Sequence, residues 1–413
     1  MPGSYALSWK NGISIVSVVL MILVGLSACQ QTTNAPAQAG VAPIKIGASL
    51  SLTGDFSPDG KNFQAGYQIW ARTVNESGGL LGRPVQLVIL DDKSDPNQAA
   101  ANYKKLITVD KVDLTFGPYS TLLTLPASEV AHQYGYAMLE GAGGAPKVFQ
   151  RGLDNVFDVS LPVVNNLVSA ALLILSLPAS IRPKTAAYAT GDDPFTQPQV
   201  DLARSMLEQG GVRTVLYKVY HSGTTDYQPI ANAVMQSRAQ VDIFGTLFPE
   251  IVAFVKAFEK SSYNPQMIVA TAGPGGSAFL QAVGIRASEG IFVPNGWYPT
   301  AGTFQNARLV HDYLAQYGGS EDTIDSDVAE AFSVGQVAQQ AINKIHSLDN
   351  KALIQELHSD TFNTVQGTVK FDSTGKNVIA LPYLFQWQHG ALLPVFPDSV
   401  AAADPEFPKP GWA

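Results

Sequence analysis

The sequence predicts an α/β protein built from two successive doubly wound units. Three observations carry this reading. From Ile44 onward, short apolar strands alternate with amphipathic helical stretches. The alternation begins afresh near Thr185, and turn or cap residues punctuate both series. Repeating βα units of this kind form a parallel sheet with helices on both faces.

In the first series, Ile44 to Leu50 reads as a strand, and Phe63, Tyr67, Trp70 and Val74 fall on one helical face. Gly78-Gly79 stops that helix. Val85 to Leu90 is the second strand, closed by Asp91-Asp92. Asp95 caps the next helix with Pro96 at its first position, and Tyr103, Leu106 and Ile107 supply its buried face. Val112 to Phe116, a helix over Thr121 to Tyr134, and the strand Ala137 to Leu139 follow.

The second series repeats the pattern. Strands are predicted over Thr185 to Ala189, Val212 to Val219, Val241 to Leu247 and Met267 to Ala270. Helices lie between them over Gln197 to Gln209, Tyr227 to Ser237 and Ile251 to Lys260. Two later helices, Phe304 to Tyr317 and Asp327 to Leu348, are placed to return to the first unit. Thr368 to Phe371 and Tyr383 to Gln388 read as antiparallel strands. The Pro-rich tail from Ala401 reads as irregular.

The first 42 residues tell of address rather than fold. The apolar run Ile13 to Leu26 ends in Leu26-Ser27-Ala28-Cys29, and Cys29 is the one cysteine in 413 residues. This reads as a lipoprotein signal (residues 1–28) with Cys29 as the lipidated first residue of the mature chain. The alternatives are a cleaved signal without lipid and an uncleaved membrane-spanning helix. Residues 29–43, rich in Gln, Thr, Pro and Ala, read as a flexible tether.

Composition excludes several functions. One cysteine cannot form an intramolecular disulfide or a zinc-thiolate site. With a net charge of −8 and no basic stripe, nucleic-acid binding has no support. The sequence carries no G-x-S-x-G and no H-E-x-x-H, and the six histidines lack metal-ligand spacing. No metal, no cofactor and no catalysis are expected. Asp91-Asp92 reads as a strand end and turn rather than an acid–base pair. Gly141 to Pro146 and Gly273 to Ser277 lack the dinucleotide and phosphate-loop patterns. Their glycines are read as permitting close backbone approach to a small ligand.

Ligands of such sheets bind beyond the carboxyl ends of the strands. That selects the loops Ser51 to Asp59, Gly117 to Thr121, Glu140 to Pro146, Gly191 to Phe195, Phe248 to Glu250, Gly273 to Ser277 and Asn295 to Tyr298. Within Gly117-Pro118-Tyr119-Ser120-Thr121, Ser120 and Thr121 open a helix whose free N–H groups make an anion site. Ser120 either caps that helix or meets a ligand carboxylate; the same geometry serves both. Phe56, Tyr119, Phe195, Phe248 and Trp297 share the predicted cleft side and are read as lining an apolar or aromatic pocket.

The opening Lys45-Ile46-Gly47-Ala48-Ser49-Leu50-Ser51-Leu52-Thr53-Gly54 resembles that of the branched-chain amino-acid-type (leucine/isoleucine/valine-binding-protein-like) substrate-binding proteins of ABC transporters, the type I periplasmic binding proteins. The likeness continues in order through Asp59-Gly60, Val74 to Val85, Asp91-Asp92, Asp95-Pro96, Gly117 to Ser120, Asp226-Tyr227, Phe248-Pro249-Glu250 and Gly290-Ile291-Phe292. The resemblance implies two α/β lobes joined by three crossing segments, near Asp158 to Pro162, Val293 to Asn295 and Lys376 to Ala380. Lobe 1 would comprise 44–160 and 294–375, lobe 2 would comprise 161–293 and 376–400, and 401–413 would be the tail. It also implies an extracytoplasmic, lipid-anchored carrier that delivers a small molecule to ABC permease subunits. The ligand would be an amino acid or a related carboxylate or amide. A sensory protein of the same fold is the first alternative and an enzyme the second.

By that resemblance Ser120 and the loop Ala142-Gly143-Gly144 hold the ligand carboxylate. The sequence departs from the family at Gly144, where a threonine hydroxyl is usual. The acid of the second lobe that takes the ligand ammonium has no match in Thr271 to Ser277. An unpaired buried ammonium is unfavourable, so Glu140, Asp193 and Glu250 are the candidates to replace it.

Overall fold

The computed structural model describes residues 41–380 and 382–412. The predicted signal, Cys29 and nearly all of the tether lie outside them. Among the described residues no helix is long and apolar enough to cross a membrane.

The first series folds as β1 (Ile44–Leu50), α1 (Ser57–Glu76), β2 (Val85–Asp91), α2 (Pro96–Thr108), β3 (Leu114–Phe116), α3 (Thr121–Gln133), β4 (Met138–Glu140), α4 (Pro146–Phe149) and β5 (Val156–Asp158). Its strands form one parallel sheet in the order β2-β1-β3-β4-β5. Asp95 caps α2 as predicted, accepting the N–H groups of Asn97 and Gln98 at 2.7 and 3.1 Å.

The second series comprises α5 (Val168–Ser176), β6 (Thr185–Gly191), α6 (Thr196–Gln209), β7 (Arg213–Tyr220), α7 (Gln228–Ser237), β8 (Val241–Gly245), α8 (Phe248–Ser261), β9 (Met267–Ala270), α9 (Ser277–Val283), α10 (Ile285–Ser288) and β10 (Ile291–Asn295). The chain then returns to the first sheet with α11 (Asn306–Tyr317), α12 (Ser326–Ile345) and α13 (Asn350–Ser359). The small hairpin β11 (Thr361–Thr364) and β12 (Gly367–Lys370) follows. Finally β13 (Tyr383–Gln388) and β14 (Ala391–Phe396) complete a second sheet in the order β14-β13-β10-β9-β8-β6-β7. Three segments therefore connect the two sheets: after β5, after β10 and before β13.

Two sequence expectations are refined. The predicted antiparallel strands near 368 and 383 belong to different sheets. β12 pairs with β11, whereas β13 pairs with β10 and β14, because the third crossing separates them. Second, β5, β10, β11 and β14 have no predicted counterpart: β5 and β11 are too short to display a period of two, and Pro294 and Pro394 interrupt the strand pattern of β10 and β14. The tail forms neither helix nor strand, yet it is docked on the second sheet. Gln386 and Gln388 donate to the carbonyls of Glu406 and Asp404, and Trp412 Nε1 donates to the Tyr263 carbonyl.

The larger core lies where α12 crosses α1 against the first sheet, with Phe63, Tyr67, Trp70, Val328, Phe332 and Val334 all buried. Two glycines set the approach. A Cβ at Gly66 would strike the Val328 carbonyl, and one at Gly335 would strike the indole of Trp70. Overpacking a filled core costs about 1–3 kcal/mol. Gly335→Val is therefore expected to lower the unfolding free energy by roughly that much, read as a lower urea midpoint at unchanged slope.

Candidate functional site

The carboxyl ends of the parallel strands of both sheets face one cleft, and each loop there is held by its own hydrogen bonds. After β1, Leu52 to Phe56 is tied to the end of β2. Asp91 accepts Leu52 N–H at 3.0 Å and Thr53 Oγ1–H at 2.8 Å, and Asp92 accepts the hydroxyls of Ser51 and Ser49 at 2.6 and 3.0 Å. Both carboxylates thus serve the turn, as the sequence reading preferred. This loop sets Phe56 edge-on to Tyr119, with centroids 6.0 Å apart, and Tyr119 meets Phe63 at 5.5 Å.

Ser120 stands at the start of α3 with φ of +78°, a conformation rare for any residue but glycine. Its hydroxyl does not cap the helix. Ser120 Oγ and Thr121 Oγ1 are both buried and find no hydrogen-bond partner among the described residues. Buried hydroxyls are ordinarily satisfied, so this end of α3 offers two hydroxyls and its first N–H groups to something else. Ala142 completes the first-lobe wall. Asp193, Phe195 and Leu247 face it from the second lobe across a narrow gap.

Of the residues singled out in the sequence, Phe56, Tyr119, Ser120, Thr121, Ala142, Asp193 and Phe195 come together here. Phe248 lines an adjoining opening, with Tyr227 and Glu250. Gly144 lies on the hinge side of the cleft. Two candidates fall elsewhere. Gly143 donates its N–H to the Glu140 carboxylate and packs so closely on Thr124 that a Cβ would collide; it lines none of these spaces. Trp297 is 2 % exposed within the first core, and its indole N–H donates to Asn306 at 2.6 Å. The chain has already turned toward α11 there, so the ring is structural.

Among the proposed substitute acids, two are engaged locally. Asp193 accepts the N–H groups of Phe195 and Thr196 at 2.7 and 3.1 Å, and Glu250 accepts Leu247 N–H at 2.6 Å. Glu140 is fully buried, and its second oxygen finds no partner among the described residues.

The sequence reading missed the strongest feature. On the hinge side the cleft deepens into a recess bordered by the crossing residues Asp158, Ser160, Val293 and Asn295. Asp59 from α1, Asp158 from the end of β5, and Asp325, Asp327 and Glu330 at the start of α12 all line it. Among the described lining residues there is no Lys, Arg or His. The glycine loops approach these acids closely: a Cβ at Gly144 would strike Asp158 Oδ2, and one at Gly276, from the second lobe, would strike Asp325 Oδ2. The signal was present in Asp325-Ser326-Asp327 with Glu330 one turn on, but that stretch reads equally well as an acidic helix start.

Burial and mutual repulsion raise these carboxyls. Burial lifts Asp59 to about 7, with Asp325 adding to it, and lifts Glu140 to about 8. Burial followed by neighbouring acids holds Asp158, Asp327 and Glu330 well above the ordinary carboxyl range. Burial also raises Asp325. Such displacement marks functional sites in clefts.

The sequence profile of the family described as periplasmic binding protein matches residues 43–391. A Leu/Ile/Val-binding protein homologue of Brucella abortus is 28% identical over 396 residues, covering 90% of this chain and 97% of its own. A leucine-binding protein from Thermotoga maritima superposes with a TM-score of 0.75 at 20% identity, over 85% of this chain and 97% of that one. A solute-binding protein from R. palustris, solved in complex with benzoate, superposes with a TM-score of 0.75 at 17% identity, over 89% of this chain and 99% of that one.

Between the ordinary carboxyl range and about 8, the folded chain holds protons that the unfolded chain has released, so stability falls as pH rises through this window. Groups shifted downward, such as Asp192 at about 2, act below it. The thermal midpoint of the ligand-free protein is expected to drop by several degrees from pH 5 to pH 8, measured by calorimetry at constant ionic strength. The Asp325→Asn/Asp327→Asn variant is expected to flatten that slope.

Proposed function

Because the chain belongs to the periplasmic binding protein family, we propose that it captures a small polar molecule between its two lobes. It is a substrate-binding component of an ABC importer, working outside the cytoplasm. The observation that carries the capture reading is the pairing of Ser120 and Thr121, whose buried hydroxyls lack partners, with Phe195 and Leu247 across the cleft. A carboxylate or carbonyl oxygen of the ligand is received by those hydroxyls and the first N–H groups of α3. Phe56, Tyr119 and Phe195 enclose the adjoining part. A ligand that touches both lobes stabilises the closed arrangement over any open one, and the permease reads that difference.

Enclosure by binding alone needs no reacting group, and the relatives are named as binding proteins; we read the protein as a carrier and not as an enzyme. The run ending in Cys29 supports anchoring of the mature chain to the membrane by lipid. Such a tether keeps the captured solute near its permease.

Ligand identified by native mass spectrometry on the purified protein is expected to reduce the radius of gyration in small-angle scattering. The Ser120→Ala/Thr121→Ala variant is expected to bind it about tenfold more weakly. Unchanged affinity would remove the head-group assignment. For the anchor, Cys29→Ser is expected to move the protein from the membrane to the soluble fraction; retention in the membrane contradicts lipidation at that residue.

A further inference from the structure

The hinge-side recess says what kind of molecule the cleft takes. Five acidic side chains from α1, β5 and α12 line it: Asp59, Asp158, Asp325, Asp327 and Glu330. Glu140 adjoins them, close enough that its charge acts on both Asp158 and Glu330. Asp158 is 1 % exposed, and its Oδ2 has no hydrogen-bond partner among the described residues. Buried carboxylate oxygens are normally paired with a donor or a cation. The one basic side chain that acts on Asp158 is Lys376, whose ammonium lies 3.7 Å from Asp372 instead.

Charge balance follows from this inventory. Neither the recess nor the spaces beside Ser120 and Phe248 are lined by a Lys, Arg or His among the described residues, and Lys376, which lines a further space meeting the recess at Gly144, is paired with Asp372. An anion such as benzoate would add repulsion. A neutral zwitterion would leave the acids beyond its single ammonium uncompensated, including the buried Asp158 and Asp327. A metal ion is also a poor match. Among the described residues, the group of three such ligands that converges within 4.8 Å is Glu289, His389 and Glu406, none of which lines the recess. The recess acids are instead spread over several elements, as suits a body with several N–H donors.

We propose that the ligand is an organic cation of net positive charge, whose ammonium or guanidinium group sits among Asp59, Asp158, Asp325, Asp327 and Glu330. This rests on the reading of the cleft as a solute-capture site and names the class of solute. The ligand's N–H groups donate to Asp158 Oδ2 and the α12 acids, and its charge lets these groups ionise together. Binding therefore expels protons: the carboxyls that burial holds near 7 to 8 at Asp59 and Glu140 release them when the cation arrives. Tyr119, beside Asp59, stays protonated, since burial and then the surrounding acids push its hydroxyl well above its usual range. The sign is fixed: affinity for a permanent cation rises with pH across this window.

Isothermal titration calorimetry on the mature chain, with arginine, agmatine, putrescine, leucine, benzoate and calcium chloride, tests this. At least one of the three organic cations is expected to bind, with affinity at least tenfold higher at pH 8.5 than at pH 5.5. Its measured heat is expected to vary with the buffer's ionisation heat in the direction of proton release. Arginine against agmatine shows whether a carboxylate is also required. The Asp325→Asn/Asp327→Asn variant is expected to lose at least tenfold in affinity while its ligand-free thermal midpoint at pH 8 holds or rises, so the loss is not unfolding. Binding of leucine or benzoate without the organic cations overturns the inference and leaves solute capture standing. Binding of calcium alone overturns it likewise, as does a cation affinity unaffected by the double variant. If instead neither the panel nor any co-purified molecule closes the lobes in small-angle scattering, the capture reading itself falls, and the inference with it.

Discussion

Like charges held together, buried at Glu140, Asp158 and Asp327 and half-buried at Asp59, Asp325 and Glu330, are the constraint on which the cleft depends. Asp59, Glu140, Asp158, Asp325, Asp327 and Glu330 come from separate parts of the chain and meet where the crossing segments join the lobes. They cannot all ionise while unaccompanied. Ligand-free, the site stays partly protonated at neutral pH; filled by a cation, it can be fully charged. The same acids thus weaken the empty protein and strengthen the occupied one, a trade common at binding sites.

The fold makes this arrangement reachable. Parallel sheets direct the loops at their carboxyl ends to one side, and the long return of the chain through α11 and α12 delivers Asp325, Asp327 and Glu330 to the first sheet. The α1–α12 crossing fixes their height in the cleft, because Gly66 and Gly335 let the helices approach to backbone and ring contact. Gly144 and Gly276 then admit carboxylates where any side chain would collide. The glycine loops do permit close approach, but the partner they admit in this structure is the chain's own Asp158 and Asp325.

Much of this was legible before the structure. The βα alternation marked both sheets, and the rule that ligands bind at strand carboxyl ends selected Phe56, Tyr119, Ser120, Ala142, Asp193 and Phe195, which do share a space. Trp297 followed the same rule and failed it, since its loop leads into the first core rather than along the cleft. The α12 acids escaped notice for a different reason. They begin a helix rather than end a strand, and an acidic first turn is ordinary helix chemistry. Only the crossing of α1 and α12, a contact between residues more than 250 positions apart, shows that they face Asp59. Spacing in sequence carries no trace of it.

The most direct measurement is the net charge of the molecule the protein carries when isolated from its own host. Native mass spectrometry gives its mass, and release followed by tandem fragmentation gives its structure. A molecule bearing ammonium or guanidinium groups in excess of its carboxylates is the result this account predicts. A neutral or anionic molecule bound at one per chain would contradict it.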